Sequence, residues 1–332
     1  MSYITVIGAG SWGTTLAILL SKKDYDVTLW AFEEDLAEYM KEHRVNKVYM
    51  PDIELPDNLN ITHSFEDCLP KARYVVSVVP TQFVRGVFSS AAQFLKDDAI
   101  IVSASKGIEK GSLKTVSEIL GELIKNRIAA ISGPSFAKEV VKEIPTAVTL
   151  ATKDTQVSYL LQEIFNTEYF RVYTHHDVKG VEIGGALKNV IAIASGICEG
   201  LGLGQNARAA LITRGIAEML RLGIKLGADP WTFSGLSGMG DMILTCTSTT
   251  SRNYSVGVKL GQGMTLSEIV GATKSIAEGV ETSVSAYELS KRHQVEMPIV
   301  EQVYHVLHRG KDPLTAVREL MNRPLKTEFD HF

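Results

Sequence analysis

Three cysteines are all that the 332 residues contain. Cys68, Cys198 and Cys246 lie far apart and are odd in number, so the chain has neither a disulfide framework nor a metal knuckle, and a reducing compartment suits it. An excess of charge of one sign is also missing. Thirty-four basic side chains stand against 38 acidic ones, a net of −4, which weighs against a polybasic binder of nucleic acid or anionic membrane. No apolar run approaches the roughly 18 residues that cross a bilayer, so integral membrane association is not expected. The opening Met1-Ser2-Tyr3-Ile4-Thr5-Val6 lacks the basic stretch that precedes the apolar part of a secretion signal. A cytoplasmic protein is expected. Fixed-period repeats, low-complexity tracts and long linkers are absent as well. What the chain does have is apolar material, 45% hydrophobic against 22% charged. That is enough for a real core, and the length fits two domains.

Short runs rich in Val and Ile occur at residues 4–7, 27–30, 74–79, 100–103, 128–131 and 147–150. They lack strict alternation, as strands buried on both faces do. Amphipathic segments such as 14–22 and 113–123 lie between several of them. Right-handed crossovers and a largely parallel, doubly wound α/β sheet follow. From residue 181 onward the β-runs cease and helical periodicity takes over, at 181–200, 207–226, 265–270, 281–292 and 299–307. The expected architecture is a Rossmann-like domain over residues 1–180 and an all-helical domain over 181–332.

Gly8-Ala9-Gly10-Ser11-Trp12-Gly13 fits G-x-G-x-x-G, follows a strand and opens a helix, the context in which that spacing binds a dinucleotide. Gly8 permits the tight turn, Gly10 lets the backbone approach a pyrophosphate, and Gly13 lets the helix pack close to the strand. Ser11 and Trp12 complete the loop. At the tip of the second strand, residues 30–32 carry neither a decisive acid nor a base, so both NAD and NADP are expected to serve. Glu33 stands 20 residues beyond Gly13. It is either the acid that meets the ribose or a solvated first-turn acid of the next helix.

Four more segments stand out. Ser103-Ala104-Ser105-Lys106-Gly107 follows a strand and puts Lys106 at the carboxyl edge of the sheet, where doubly wound folds bind ligands. Gly133-Pro134-Ser135-Phe136-Ala137 repeats that arrangement. Gly184-Gly185-Ala186-Leu187-Lys188-Asn189 lies on the first long helix, and Gly238-Met239-Gly240-Asp241-Met242-Ile243-Leu244-Thr245-Cys246 leads to Ser251-Arg252-Asn253. With Asn46…Tyr49-Met50-Pro51…Leu55-Pro56 and Val79-Pro80, these motifs span the chain to about residue 310. Together they resemble the NAD(P)-dependent glycerol-3-phosphate dehydrogenases, the bacterial biosynthetic type in particular.

The resemblance implies a cytoplasmic homodimer that interconverts dihydroxyacetone phosphate and sn-glycerol 3-phosphate, supplying glycerophospholipid synthesis. Lys188 would be the proton donor and acceptor at the substrate's C2 oxygen, with Lys106 and Asp241 beside it and Thr245 close by. Gly133, Ser135, Ser251, Arg252 and Asn253 would hold the substrate and its phosphate. Phe32, Lys106, Ala137, Arg252, Ile276 and Glu278 would meet the cofactor. Taken residue by residue, blander roles stay open. Lys188 lies off the apolar stripe Ile183, Leu187, Val190, Ala194 and Ile197, among small residues that leave room for a substrate, yet helical lysines are mostly solvated. Asp241 could be a helix cap, and residues 251–253 a polar surface loop. A hydroxy-acid dehydrogenase would not need Ser251-Arg252-Asn253, and a non-catalytic nucleotide sensor would not need Lys106, Lys188 and Asp241 together. His175-His176 has no carboxylate or cysteine at ligand spacing, so no metal is expected, and packing is the expected role of Cys198 and Cys246.

Overall fold

The β-branched runs pair side by side, each burying both of its faces. A computed structural model describes residues 3–271 and 277–328. Its strands are β1 (Tyr3–Ile7), β2 (Asp26–Trp30), β3 (Val45–Asn46), β4 (Met50–Glu54), β5 (Leu59–Thr62), β6 (Tyr74–Ser77), β7 (Ile100–Ser103), β8 (Arg127–Ser132), β9 (Thr146–Ala151) and β10 (Phe170–His175). Eight form one sheet in the order β10-β9-β8-β7-β6-β1-β2-β5, and β3 and β4 form a separate hairpin. Neighbours in the sheet are parallel except β8 and β9, which run antiparallel. β5 is an addition to the strands expected from sequence; Leu59-Asn60-Ile61-Thr62 is short and leaves Asn60 exposed, so its apolar signal is weak.

Val6, Leu29, Val76 and Val102 fill one side of the sheet, and Ile7, Trp30, Val75 and Ile101 the other. The crossovers run through helices Ser11–Ser21, Thr81–Ala91 and Val116–Leu123. From β1 the chain winds outward to β2 and β5, and from β6 it winds the opposite way to β7 and β8. The order thus reverses between β1 and β6, and their carboxyl ends flank the crevice that such a reversal opens.

Beyond β10 the chain is helical. Helix Val178–Gly200 is buried at Val178 and throughout residues 180–198. It corrects two expectations. By length and composition alone, an 18-residue stretch of it is apolar enough to cross a membrane despite Glu182 and Lys188, and all of that stretch is enclosed by the rest of the chain. The anticipated stripe does face the core, but the opposite face is buried too. Small residues on that face admit other backbones rather than leaving open space. Helix Arg252–Gly261 presses against it so closely that a Cβ on Gly257 would overlap the Ile193 carbonyl oxygen, and one on Gly261 would come within 2.9 Å of the Gly200 Cα. Gly196 and Gly200 on one helix and Gly257 and Gly261 on the other make this contact possible.

Candidate active site

The glycine loop joins the tip of β1 to helix Ser11–Ser21. Gly8 adopts φ +113° and donates its N–H to the Trp30 carbonyl at 3.0 Å, tying the loop to the end of β2. A Cβ on Gly13 would overlap the Gly8 carbonyl oxygen, so a glycine is required there by packing alone. Gly10 differs: a Cβ would meet nothing within 4 Å, so protein packing does not account for it. No side chain caps the helix start and its first turn holds no acid. The positive end of the helix dipole therefore faces the crevice without an internal counter-charge, which fits a pyrophosphate. Trp12 lies with its ring 6.4 Å from that of Phe170. Hairpin β3–β4 braces the loop from above. Asn46 donates to the Ala9 carbonyl (2.8 Å) and to Thr14 Oγ1 (2.9 Å), and Ser11 Oγ donates to the Tyr49 carbonyl (3.1 Å).

At the same sheet edge three charges from three distant segments meet. Lys188 Nζ donates to Asp241 Oδ1 at 2.5 Å and to Thr245 Oγ1 at 2.7 Å. Lys106 Nζ donates to Asp241 Oδ2 at 2.6 Å and to the Gly133 carbonyl at 2.9 Å. Asp241 is 1% exposed and Lys188 7%. Burial pulls the Lys188 ammonium from the usual 10.5 down to about 8, against the attraction of Asp241 and with a smaller push from Lys106. For Asp241 burial acts upward, but the two ammoniums outweigh it and hold the carboxyl below its ordinary range. Asp241 opens helix Asp241–Thr247, yet its side chain makes no cap bond, and Gly240 occupies the cap position. The helix-cap alternative is therefore excluded.

Hydrogen-bonded amides join this cluster to the segment carrying Arg252. Asn189 donates to the Lys106 carbonyl (3.1 Å), Asn253 donates to Asn189 Oδ1 (2.9 Å), and Gly279 N donates to Asn253 Oδ1 (2.9 Å). Ser251 caps helix Arg252–Gly261 by accepting from Tyr254 N (3.2 Å). Arg252 opens that helix and lies within electrostatic reach of Glu278 and Tyr49. Glu278 accepts from Thr81 N at 3.1 Å, and burial pushes its carboxyl up to about 7 against the pull of that N–H and of Arg252. Ser135 Oγ donates to the Gly133 carbonyl (3.0 Å), and the Ala137 carbonyl accepts from Thr15 (3.3 Å) beside the glycine loop. Phe32 is 76% exposed just past β2, edge-on to Trp30. Ile276 lies outside the described residues.

Asn189, Thr81 and the Asn46 brace were not singled out as functional side chains, although Asn189 and Asn46 stand inside the quoted motifs. His175 and His176 stack at the end of β10, where His175 accepts from Asp177 N. Cys68, Cys198 and Cys246 are buried and unpaired.

The sequence pattern of the NAD-dependent glycerol-3-phosphate dehydrogenase N-terminus matches residues 3–158, and that of the corresponding C-terminus matches residues 177–318. The glycerol-3-phosphate dehydrogenase [NAD(P)+] of Citrifermentans bemidjiense is 55% identical over 329 residues, which cover 98% of each chain. That of Leptospira biflexa is 49% identical over 329 residues, 98% of this chain and 99% of the relative. The crystal structure of the Coxiella burnetii glycerol-3-phosphate dehydrogenase superposes with a TM-score of 0.94 at 40% identity, over 97% of this chain and 99% of that one.

Proposed function

Because the chain belongs to the NAD-dependent glycerol-3-phosphate dehydrogenase family, and so interconverts dihydroxyacetone phosphate and sn-glycerol 3-phosphate with NAD(P)H, we propose that Lys188 is its acid–base residue. When bound, the reduced nicotinamide supplies the hydride that the substrate's C2 carbon accepts. Lys188 then gives its proton to the oxygen on that carbon as negative charge grows there, and in the reverse direction takes it back. A lysine drawn down to about 8 still carries its proton at neutral pH and releases it more readily than a solvated one. Asp241 holds the ammonium in place and preserves its charge, and Thr245 fixes its direction. Lys106, held by Asp241 and the Gly133 carbonyl, presents a second positive charge to the same oxygen.

Arg252 grips the phosphate, away from the reacting carbon, so that binding energy there orients the carbonyl. Ser251 and Asn253 fix the start of the Arg252 helix, and Ser135 lines the substrate side. Gly8, Gly10, Ser11, Trp12 and Gly13 hold the pyrophosphate, with Phe32, Ala137 and Glu278 along the dinucleotide. On this assignment residues 1–180 form the dinucleotide-binding domain and 181–332 the substrate domain. Reduction of dihydroxyacetone phosphate, feeding glycerophospholipid synthesis, is the working direction. The protein is taken to act in the cytoplasm as a homodimer, without nucleic acid or an integral membrane partner. Three unpaired, buried thiols suit that compartment.

The buried Lys188–Asp241–Lys106 cluster carries the assignment, and Lys188→Ala tests it. The variant should fold, bind NADH and lose about 10²–10⁴-fold in kcat. In wild type, the reduction rate should fall as pH rises through about 8, because the acid is then deprotonated. A kcat within a few-fold of wild type, with NADH still bound, would exclude Lys188 as the acid.

A further inference from the structure

The four glycines between helix Arg252–Gly261 and helix Val178–Gly200 bring two backbones together without choosing a register. A Cβ on Gly196 would overlap the Tyr254 carbonyl oxygen, and one on Gly200 would overlap that of Val258. The contacts thus advance along both chains, and the helices run parallel. Along this line no side chain stands as a knob in a hole, and a smooth contact can slide. A polar group can fix a register that packing leaves open. We propose that the Tyr254 hydroxyl, held by Arg208, pins the Arg252 helix at the register in which Arg252 meets the substrate's phosphate. The inference rests on Arg252 being the phosphate ligand, and it makes Tyr254 and Arg208 positioning residues.

Tyr254 stands two positions beyond Arg252 and is tied at three points. Its N–H donates to Ser251 Oγ at 3.2 Å, its carbonyl lies against Gly196, and its hydroxyl accepts from Arg208 Nη1 at 3.0 Å. The residue is 3% exposed. Burial raises the phenol above its ordinary value of 10.0, against the bond from Arg208 and with a further push from Glu199. The hydroxyl therefore keeps its proton well past neutral pH.

Arg208 comes from a third element, helix Gly204–Lys225. The nitrogen that meets Tyr254 also donates to Glu199 Oε2 at 3.0 Å, in the last turn of helix Val178–Gly200, and Nη2 donates to Gln205. One guanidinium, with its side chain 18% exposed, thus joins three helices. Asn253, the residue before Tyr254, bonds Asn189 of the same central helix at 2.9 Å. Asn189 and Glu199 lie about 15 Å apart along that helix at 1.5 Å per residue. Held at one of these points, the start of the Arg252 helix could pivot. Held at both, it can neither pivot nor slide.

Tyr254→Phe removes one oxygen and keeps the ring, so the variant should fold. A misplacement of about 1 Å costs up to about 10²-fold, so a partial slip should lower kcat/KM for dihydroxyacetone phosphate by roughly 5- to 50-fold. The slow reaction with dihydroxyacetone, which offers no phosphate, should stay at the wild-type rate. The fall in rate through pH of about 8 should also stay in place, because Lys188 does not move. Arg208→Met should reproduce the loss, and the double variant should be no worse than Arg208→Met alone, since both changes break the same bond. A ratio of the two substrates' kcat/KM unchanged in Tyr254→Phe, or losses that multiply in the double variant, would overturn the inference. So would an equal loss with both substrates or a displaced pH limb, either of which would mark a general disturbance of the central helix. If Arg252→Ala itself keeps the wild-type ratio, the phosphate role of Arg252 fails, and the inference with it.

Discussion

At the scale of single residues, Arg252 is placed against local electrostatics. It stands at the first position of a ten-residue helix whose N-terminus is already positive, where an acid would be stabilising and a guanidinium is not. Glu278 lies within electrostatic reach of it, and a substrate phosphate would add the two oxygens that a guanidinium fork matches. Removing one partner of a charged pair in a closed site costs about 2–5 kcal/mol, which is roughly 30- to 4,000-fold at tenfold per 1.36 kcal/mol. Arg252→Ala should lower kcat/KM for dihydroxyacetone phosphate by that factor and change the slow reaction with dihydroxyacetone far less. Arg252→Lys should recover only part of the loss. If the ratio of the two substrates' kcat/KM is the same in Arg252→Ala as in wild type, Arg252 does not hold the phosphate. Side-chain environments are the least legible from sequence at this scale. Lys188 stands 53 positions from Asp241, and Lys106 stands 135 from it, so helical periodicity could not show that the lysine is buried or what it pairs with. The Asp241 cap alternative stayed open for the same reason.

Among the elements, strands and long helices were legible because their signals are local. The glycine fingerprint needs only the strand before it and the helix after it. β5 escaped because four residues with an exposed Asn60 carry little apolar signal. The all-round burial of helix Val178–Gly200 was not legible, because its second face is covered by glycine contacts made far along the chain. Those contacts give a test with a sign. Glycine inside a helix is normally worse than alanine by about 0.5–1 kcal/mol, so Gly86→Ala, with nothing within 4 Å of its Cβ, should stabilise by that amount. Gly257→Ala gains the same propensity but drives a methyl into the Ile193 carbonyl. Overpacking of this kind costs about 1–3 kcal/mol, so the net change should be destabilising. The helix bearing Arg252 and Asn253 would shift with it, raising KM for dihydroxyacetone phosphate. Urea denaturation of both variants checks the pair, and equal effects at the two glycines would refute the close packing.

Across the whole molecule, the sheet and the helices are joined at the site itself. Lys106 comes from the edge beyond β7, Lys188 from the central helix and Asp241 from the helix after Gly240, and one carboxylate serves both ammoniums. Substitution by asparagine leaves two cations facing each other in a buried site. Breaking a buried pair by removing one partner costs about 3–5 kcal/mol, so Asp241→Asn should be much less stable than wild type at pH 7. The pH dependence distinguishes this cause from loss of packing. In wild type the folded Lys188 titrates near 8 against 10.5 for an unperturbed lysine, with Asp241 pulling upward. Without that pull its folded pKa must drop further. Between that lower value and 10.5 the unfolded chain binds more protons than the folded one, so stability rises with pH over the interval. The deficit of Asp241→Asn relative to wild type should therefore shrink between pH 7 and pH 9, as Lys188 sheds its proton and the repulsion ends. Urea midpoints for both proteins at the two pH values measure it. A deficit of the same size at both would mean that Asp241 acts through shape and hydrogen bonding, and that its charge does not hold the two lysines, and with them the two halves of the fold, together.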